Sequence, residues 1–289
     1  MKVQSQHLNY TLMITEFAPA KVNLSLHLTG QKADGYHVLD SIVCYVDIGD
    51  NVSITPGRPG ELKVNGPFAT DLPSANQNLV IKAANLFGDI ELSQIILEKN
   101  IPVTSGIGGG SADAAATIRL LSKVYNKPEP SIKKLISLGA DVPVCMHKGI
   151  VRMMGVGEEI ISLTPAPKVG ILLVNPMQAL STADVFNTVK KKKNSGISMH
   201  GYLEKKLSSW FEWIGSMRND LTSSAIDFVP EIKLIIDKLM ACDGAKVVRM
   251  SGSGATCFAL FDDFDLLVSA QNKVSKDCPS FWCKAGRLI

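Results

Sequence analysis

A chain of 289 residues, 46% hydrophobic and 20% charged, is long enough for one large domain or two ordinary ones with a substantial core. A formal net charge of +3 gives no case for nucleic acid or membrane as partner, and no apolar run approaches the roughly 18 residues of a membrane span. The start, MKVQSQHLNYTLM, lacks the apolar block of a secretory signal, and the six cysteines show no CxxC spacing, so a cytoplasmic protein with reduced, buried thiols is expected rather than a zinc or disulfide scaffold.

From Ile14, ITEFAPAKVNLSLHLTG alternates apolar and polar side chains at Val22, Leu24, Leu26 and Leu28, the period of a half-buried strand. DSIVCYVDIGDNVSITP and ELKVN continue in strand and turn. The first helix is expected near Asn78 in NLVIKAANLF, after the polar stretch PSANQ. SQIILEKNIPV then reads as a strand feeding a glycine-rich loop.

That loop, SGIGGGSADAA, runs Gly106, Gly108, Gly109 and Gly110 into an alanine-rich segment, with Ser111 as the expected N-cap. Free backbone amides at a helix N-terminus make an anion site suited to nucleotide phosphates, although the same glycines also suit a plain tight turn. Neither a Walker A lysine nor a clean dinucleotide pattern is present.

NKPEPS breaks the chain, and SIKKLISLGADVPV forms a further helix with Ser131 as N-cap and Gly139 at its end. GIVRMMGVGEEIISL returns to strand. A domain boundary is expected at TPAPK, dividing the chain into 1–165 and 166–289. Beyond it the pattern predicts the strand VGILLVNP, helices around Thr182 to Lys190, Tyr202 to Gly215 and Pro230 to Ala241, the strand segment KVVRMSGSGATCFALF, and a terminal helix and strand. The fold class is α+β in two domains. Lys190 to Lys193 reads as a solvated loop, and His27 as structural.

Three further segments bear on chemistry. PAKVN puts Lys21 and Asn23 on one face of a strand, LGADVPV puts Asp141 just after a helix terminus, and SGSGATCF makes a second small-residue turn. Each has a plain alternative in an edge lysine, an N-cap and a hairpin. Together they supply the parts of phosphoryl transfer: a phosphate cradle, a cation, and a carboxylate for the attacking hydroxyl.

PAKVNLSL, GIGGGSADAAA and SGSGATCFAL are similar to the three ordered motifs of the GHMP small-molecule kinases. DGYHVLDS and LGADVPV resemble the branch whose acceptor is cytidine-diphosphate-linked methylerythritol, and the likeness runs from about Phe17 to Phe261. The resemblance implies an amino-terminal ribosomal-protein-S5-like domain that binds nucleotide and a carboxy-terminal ferredoxin-like domain that completes the acceptor site. It implies ATP and Mg²⁺ as cofactors, a small-molecule acceptor, and a monomer or weak homodimer.

By the same resemblance, Asp141 accepts the hydroxyl proton, with Lys21 beside it offsetting charge. Pro102, Val103, Thr104, Ser105, Gly106, Ile107, Gly108, Gly109, Gly110, Ser111 and Ala112 form the nucleotide loop, with Ser111 near the β-phosphate and metal; no direct metal ligand is assigned. Asn23 positions the acceptor, Tyr36 and His37 hold cytosine, Phe186 covers the base with Thr182 nearby, and Gly252, Ser253, Gly254 and Ala255 lie against the acceptor's phosphates. Thr104, Ser105 and Ala112 depart from the residues common at those positions, and residues 1–13 have no counterpart in the motifs. A homoserine or mevalonate kinase of the same family, or a nucleotide-binding pseudoenzyme, stands as the alternative.

Overall fold

The spine of the structure, a computed structural model describing residues 12–59, 61–72, 77–88, 93–103, 105–163, 166–203 and 206–289, is one long strand, β3 (His37–Pro59). Its side chains alternate strictly: Ile42, Cys44 and Val46 enter one core, and Val43 and Tyr45 enter another on the opposite face. Around β3 pair β1 (Ile14–Asn23), β2 (His27–Gln31), β5 (Ser93–Glu98) and β6 (Val151–Gly155), all antiparallel. β4 (Lys63–Asn65) adds parallel to β5, and β7 (Glu159–Ser162) adds to β6. A second sheet runs β11 (Trp282–Arg287), β8 (Gly170–Asn175), β10 (Cys257–Phe261) and β9 (Val247–Met250), antiparallel throughout.

The two sheets share a core. Ile42 and Cys44 from the first meet Ile171, Leu173, Phe258 and Leu260 from the second, with Trp210 and Ile214 of α6 (Leu207–Gly215) filling the space between. The other faces of β8 and β10, Leu172, Val174, Cys257 and Ala259, pack under α7 (Thr222–Phe228), α8 (Glu231–Met240) and α9 (Phe264–Asp277). At roughly 1.5–3 kcal/mol for each large apolar side chain fully buried, this interior is the dominant favourable term. Strands buried on both faces explain why VGILLVNP reads as a continuous apolar run.

The same covering corrects the expectation of a half-buried strand from Ile14 to Gly30. Ala20 to Leu28 are buried without alternation, and the strand is interrupted between Asn23 and His27. β1 lies between α2 (Gly109–Tyr125) on one side and the second sheet on the other, so its second half, Ala20 to Asn23, has no face open to water, while Thr15 and Phe17 near its start stay exposed. α2 approaches closely because Ala112, Ala114, Ala115 and Ala116 form its buried stripe.

α1 (Leu79–Asn85) starts where expected, the Asn78 side chain accepting from Val80 N at 2.9 Å. α3 (Ile132–Leu138) follows Ser131, whose side chain makes no capping bond. α2 differs from expectation: its N-cap is Gly108, with φ of +67°, and Ser111 is the third helical residue. α7 is a helix that the sequence pattern does not announce. Thr164 and Pro165 of the expected boundary segment lie outside the described residues.

Two buried ionic arrangements fix α2 and the sheets. Lys99 donates to Asp113 Oδ2 of α2 at 2.9 Å and to Asp50 Oδ2 of β3, while Asp50 Oδ1 accepts from Asn100 N and Ile101 N. Arg249 of β9, without a carboxylate partner among the described residues, donates to the carbonyls of Leu24, Ile214 and Met217. The six cysteines are unpaired, five buried and Cys283 half-buried. No helix among the described residues is long and apolar enough to cross a membrane.

Candidate active site

The glycine loop is held by its carbonyls. Ile107 O accepts from Lys21 N at 2.9 Å, Gly106 O from Ser251 Oγ at 3.1 Å, and Ser105 O from both Thr256 N and Thr256 Oγ1. With its acceptors turned back into the protein, the loop leads into a first helical turn whose N–H groups have no intrahelical partner. Gly106 has φ of +73°, and a Cβ there would lie 2.3 Å from Gly254 O. A Cβ on Gly108 would lie 3.0 Å from Lys21 Cε. These two glycines let the loop press against both the Ser251–Thr256 turn and Lys21 of β1.

Lys21 leaves β1 beneath this loop. Its Nζ donates to Asn23 Oδ1 at 2.9 Å and to Asp141 Oδ2 at 3.0 Å. The lysine side chain is 4% exposed and the aspartate 40%, so the cation is packed from behind and the carboxylate faces open space. Asp141 holds the N-cap position of α4 (Val142–Cys145), yet its side chain makes no cap bond. The plain reading of this residue as a helix cap therefore fails, and its carboxylate is committed to Lys21.

Both groups open on a cleft of about 710 Å³. One wall carries Gly108 to Ser111; the far end carries Tyr36, His37 and Phe186. Tyr36 is 66% exposed, with its ring unpacked. The His37 and Phe186 rings stand 5.2 Å apart between centroids and tilted by 41°. His37 Nδ1 is buried without a hydrogen-bond partner, and burial, reinforced by the nearby Lys192 charge, holds the imidazole below its ordinary pKa. Thr182 Oγ1 and Ser253 Oγ share a hydrogen bond of 2.8 Å along the cleft rim.

Residues 78–152 match the family described as GHMP kinases N terminal domain, and residues 200–280 match GHMP kinases C terminal. A protein of Ruegeria pomeroyi named 4-diphosphocytidyl-2-C-methyl-D-erythritol kinase is 41% identical over 280 residues, spanning 96% of this chain and 100% of that one. The chain belongs to the GHMP kinase family. A crystal structure of 4-(cytidine 5'-diphospho)-2C-methyl-D-erythritol kinase superimposes with a TM-score of 0.81 at 28% identity, covering 95% of this chain and 99% of that one. Homoserine kinase from Cytophaga hutchinsonii superimposes at 0.69 with 18% identity, covering 96% and 94%, a likeness of fold.

Of the residues expected to form the site of this GHMP kinase, Lys21, Asn23, Tyr36, His37, Ser105, Gly106, Gly108, Gly109, Gly110, Ser111, Asp141, Thr182, Phe186, Gly252 and Ser253 line the one cleft. Pro102, Val103, Ile107, Ala112, Gly254 and Ala255 do not. Ile107 packs in the intersheet core and Ala112 lies on the buried face of α2, so any part they take in binding goes through the backbone. Thr104 lies outside the described residues.

Sequence reasoning passed over the hydroxyls that hold the site from behind. Ser251 Oγ accepts from Asn23 N at 3.0 Å while donating to Gly106 O, joining β1, the glycine loop and the second sheet at one atom. Asn175 Nδ2 donates to Thr256 Oγ1 at 2.8 Å. The available signal was small polar residues set in apolar strands: Ser41 before IVCYV, and Asn175 closing GILLV.

Proposed function

We propose that this kinase transfers the γ-phosphoryl group of ATP to the 2-hydroxyl of 4-diphosphocytidyl-2-C-methyl-D-erythritol. The observation that carries the reading is the Lys21–Asp141 pair, 3.0 Å apart, placed between a glycine loop at a helix N-terminus and an aromatic pocket at the other end of the same cleft. Relatives that share about two-fifths of their residues with this chain over nearly its whole length bear the name of that activity.

The chain's own residues account for each need of the reaction. Phosphoryl transfer calls for positioning and charge stabilisation more than for covalent chemistry. The first-turn amides of α2, with the helix dipole behind them, receive the donor's phosphates. Two of the three ammonium hydrogens of Lys21 are spent on Asn23 and Asp141, which leaves one for an oxygen of the transferring group. Asp141 accepts a hydrogen bond from the acceptor hydroxyl and takes its proton as the new oxygen–phosphorus bond forms and the bond from the γ-phosphorus to the β,γ-bridging oxygen breaks, releasing ADP.

At the far end, His37 is neutral at neutral pH, and with Nδ1 buried it is Nε2 that meets the edge of a base, as donor or acceptor according to the tautomer. Tyr36 and Phe186 supply flat apolar surface for the base faces. Gly252 and Ser253, at the midpoint of the cleft, face the acceptor's diphosphate.

Mg²⁺ binds through oxygen donors, few of them from protein and the rest from phosphate and water. The cleft presents the Ser111 hydroxyl and the part-exposed Asp141 carboxylate, a donor set that fits such an ion. When bound, the ion neutralises phosphate charge.

The test is turnover of a panel of alcohols by the purified protein with ATP and Mg²⁺. The expected result is a kcat/KM for the cytidine-diphosphate-linked acceptor about 10³-fold or more above homoserine and mevalonate, the scale of discrimination by a hydrogen-bonding pocket. Equal turnover of homoserine or mevalonate overturns the acceptor assignment. No turnover of any alcohol overturns the kinase reading and leaves a nucleotide-binding protein.

A further inference from the structure

Asn23 turns a specific atom toward Lys21, and something must choose which one. A carboxamide presents oxygen on one side and nitrogen on the other with nearly the same shape, so its orientation is decided by its hydrogen-bond partners. Here Oδ1 accepts from Lys21 Nζ at 2.9 Å and Nδ2 donates to Ser41 Oγ at 2.8 Å.

The choice is made one step further back. Ser41 Oγ donates to Ser25 O at 2.5 Å, and a carbonyl oxygen has no hydrogen to return. The single hydrogen of the hydroxyl is thereby spent, and toward Asn23 it only accepts. An amide turned the other way would set its oxygen against a hydroxyl lone pair and its NH₂ against an ammonium. Polarity therefore runs one way, from Lys21 to Asn23 Oδ1 and from Asn23 Nδ2 through Ser41 to Ser25 O.

Burial keeps water from repairing a break at the Ser41–Ser25 end of this chain. Ser25 and Ser41 are wholly buried, with Asn23 and Lys21 nearly so. Its far end is rigid, because Leu24 N and Ser25 N both donate to Ile42 O and Ile42 N donates to Ser25 Oγ, which locks the end of β1 onto β3.

We propose that Ser41 is a positioning residue for phosphoryl transfer: by orienting the Asn23 amide, it aims the Lys21 ammonium at Asp141 and the reacting oxygen. The inference rests on the kinase reading above. Ser41 touches neither reactant and acts only through Asn23.

The test is a kinetic double-mutant cycle on the full chain. Ser41→Ala, and Ser41→Cys, which keeps the side-chain volume but hydrogen-bonds weakly, are expected to lower kcat about 10-fold with the KM for ATP changed less than about twofold. In an Asn23→Ala background, Ser41→Ala is expected to lower kcat no further, because residues in one chain couple instead of adding. Independent, multiplying losses in the double variant, or wild-type kcat in both single variants, overturn the proposal.

The side-chain amide resonances of Asn23, assigned by their loss in Asn23→Ala, are expected to move in Ser41→Ala. Their staying in place overturns the chain even if the wild-type enzyme phosphorylates no alcohol, which separates this failure from failure of the kinase reading. Should Ser41→Ala not fold, Ser41→Cys carries the same comparisons.

Discussion

Lys21 Nζ and Asp141 Oδ2, separated by 120 residues of chain, meet at 3.0 Å with the lysine buried and the carboxylate half-open to the cleft. On the proposed reading this asymmetry divides the work: the lysine is fixed by packing and Asn23, and the aspartate is the member that a hydroxyl reaches. Asp141→Asn keeps the shape but cannot take a proton, and it is expected to lower kcat by about 10²-fold or more with little change in the KM for ATP. Steady-state kinetics with both substrates varied checks this, and near-normal turnover removes Asp141 from the role of base.

Gly106 touches backbone where a side chain would sit. A Cβ would lie 2.3 Å from Gly254 O and 2.8 Å from Gly254 C, and the residue has φ of +73°. Neither backbone atom can swing aside, and the conformation alone costs an L residue about 1–2 kcal/mol. Gly106→Ala is expected to lower the Tm by several degrees and raise the KM for ATP about 10-fold or more, by forcing the loop off the Ser251–Thr256 turn. Gly110 provides the contrast: its added Cβ meets only Leu79 Cδ1 at 3.6 Å inside a helix, so Gly110→Ala is expected to hold or raise the Tm. Paired melting curves of the two variants decide it, and equal losses mean that the Gly254 contact does not set the loop.

What could be read in the chain was what local chemistry dictates. The strand character of DSIVCYV, the helix start near Asn78 and the run of glycines before an alanine helix all follow from neighbours a few residues apart. The α+β class followed from the pattern of strand and helix segments, whereas the meeting of Lys21 with the glycine loop came through ordered motifs, not from spacing. The N-cap went to Gly108 and not Ser111 because the loop must clear Lys21, a contact across 87 positions that no local preference registers. The Ser251 and Thr256 hydroxyls reach back across 145 and 151 residues to hold the loop, and Ser41 stands behind Asn23. Nothing local in SQIILEKNIPV marks Lys99 for burial, yet it is 1% exposed, because its carboxylate partners come from β3 and α2.

That buried group carries its own pH dependence. Burial pushes Asp113 up to about 7, against the pull of Lys99 and with the push of Asp50, and its Oδ1 has no hydrogen-bond partner. Lys99, for its part, is driven down by burial but held above its ordinary value by the two carboxylates, so it stays charged. One cation between two carboxylates is neutral only while Asp113 keeps its proton. In the unfolded chain an aspartate ionises near its ordinary value of about 3.9, so between that pH and about 7 the unfolded state has released a proton that the folded state retains. Fewer protons on the unfolded side mean that this group's contribution to stability is fully present below about pH 4 and is lost as pH rises to about 7. Asp113→Asn, a neutral group of the same shape, is expected to match wild type in Tm near about pH 4 and to gain on it steadily up to about pH 8. Lys99→Met is expected to destabilise by about 3–5 kcal/mol at neutral pH, because it leaves buried carboxylates facing each other without a cation. Thermal melts of the three proteins across that range check both claims. A Tm difference between Asp113→Asn and wild type that stays constant with pH means that Asp113 holds no proton in the folded protein, and that the loop-bearing helix rests on a fully ionised cluster.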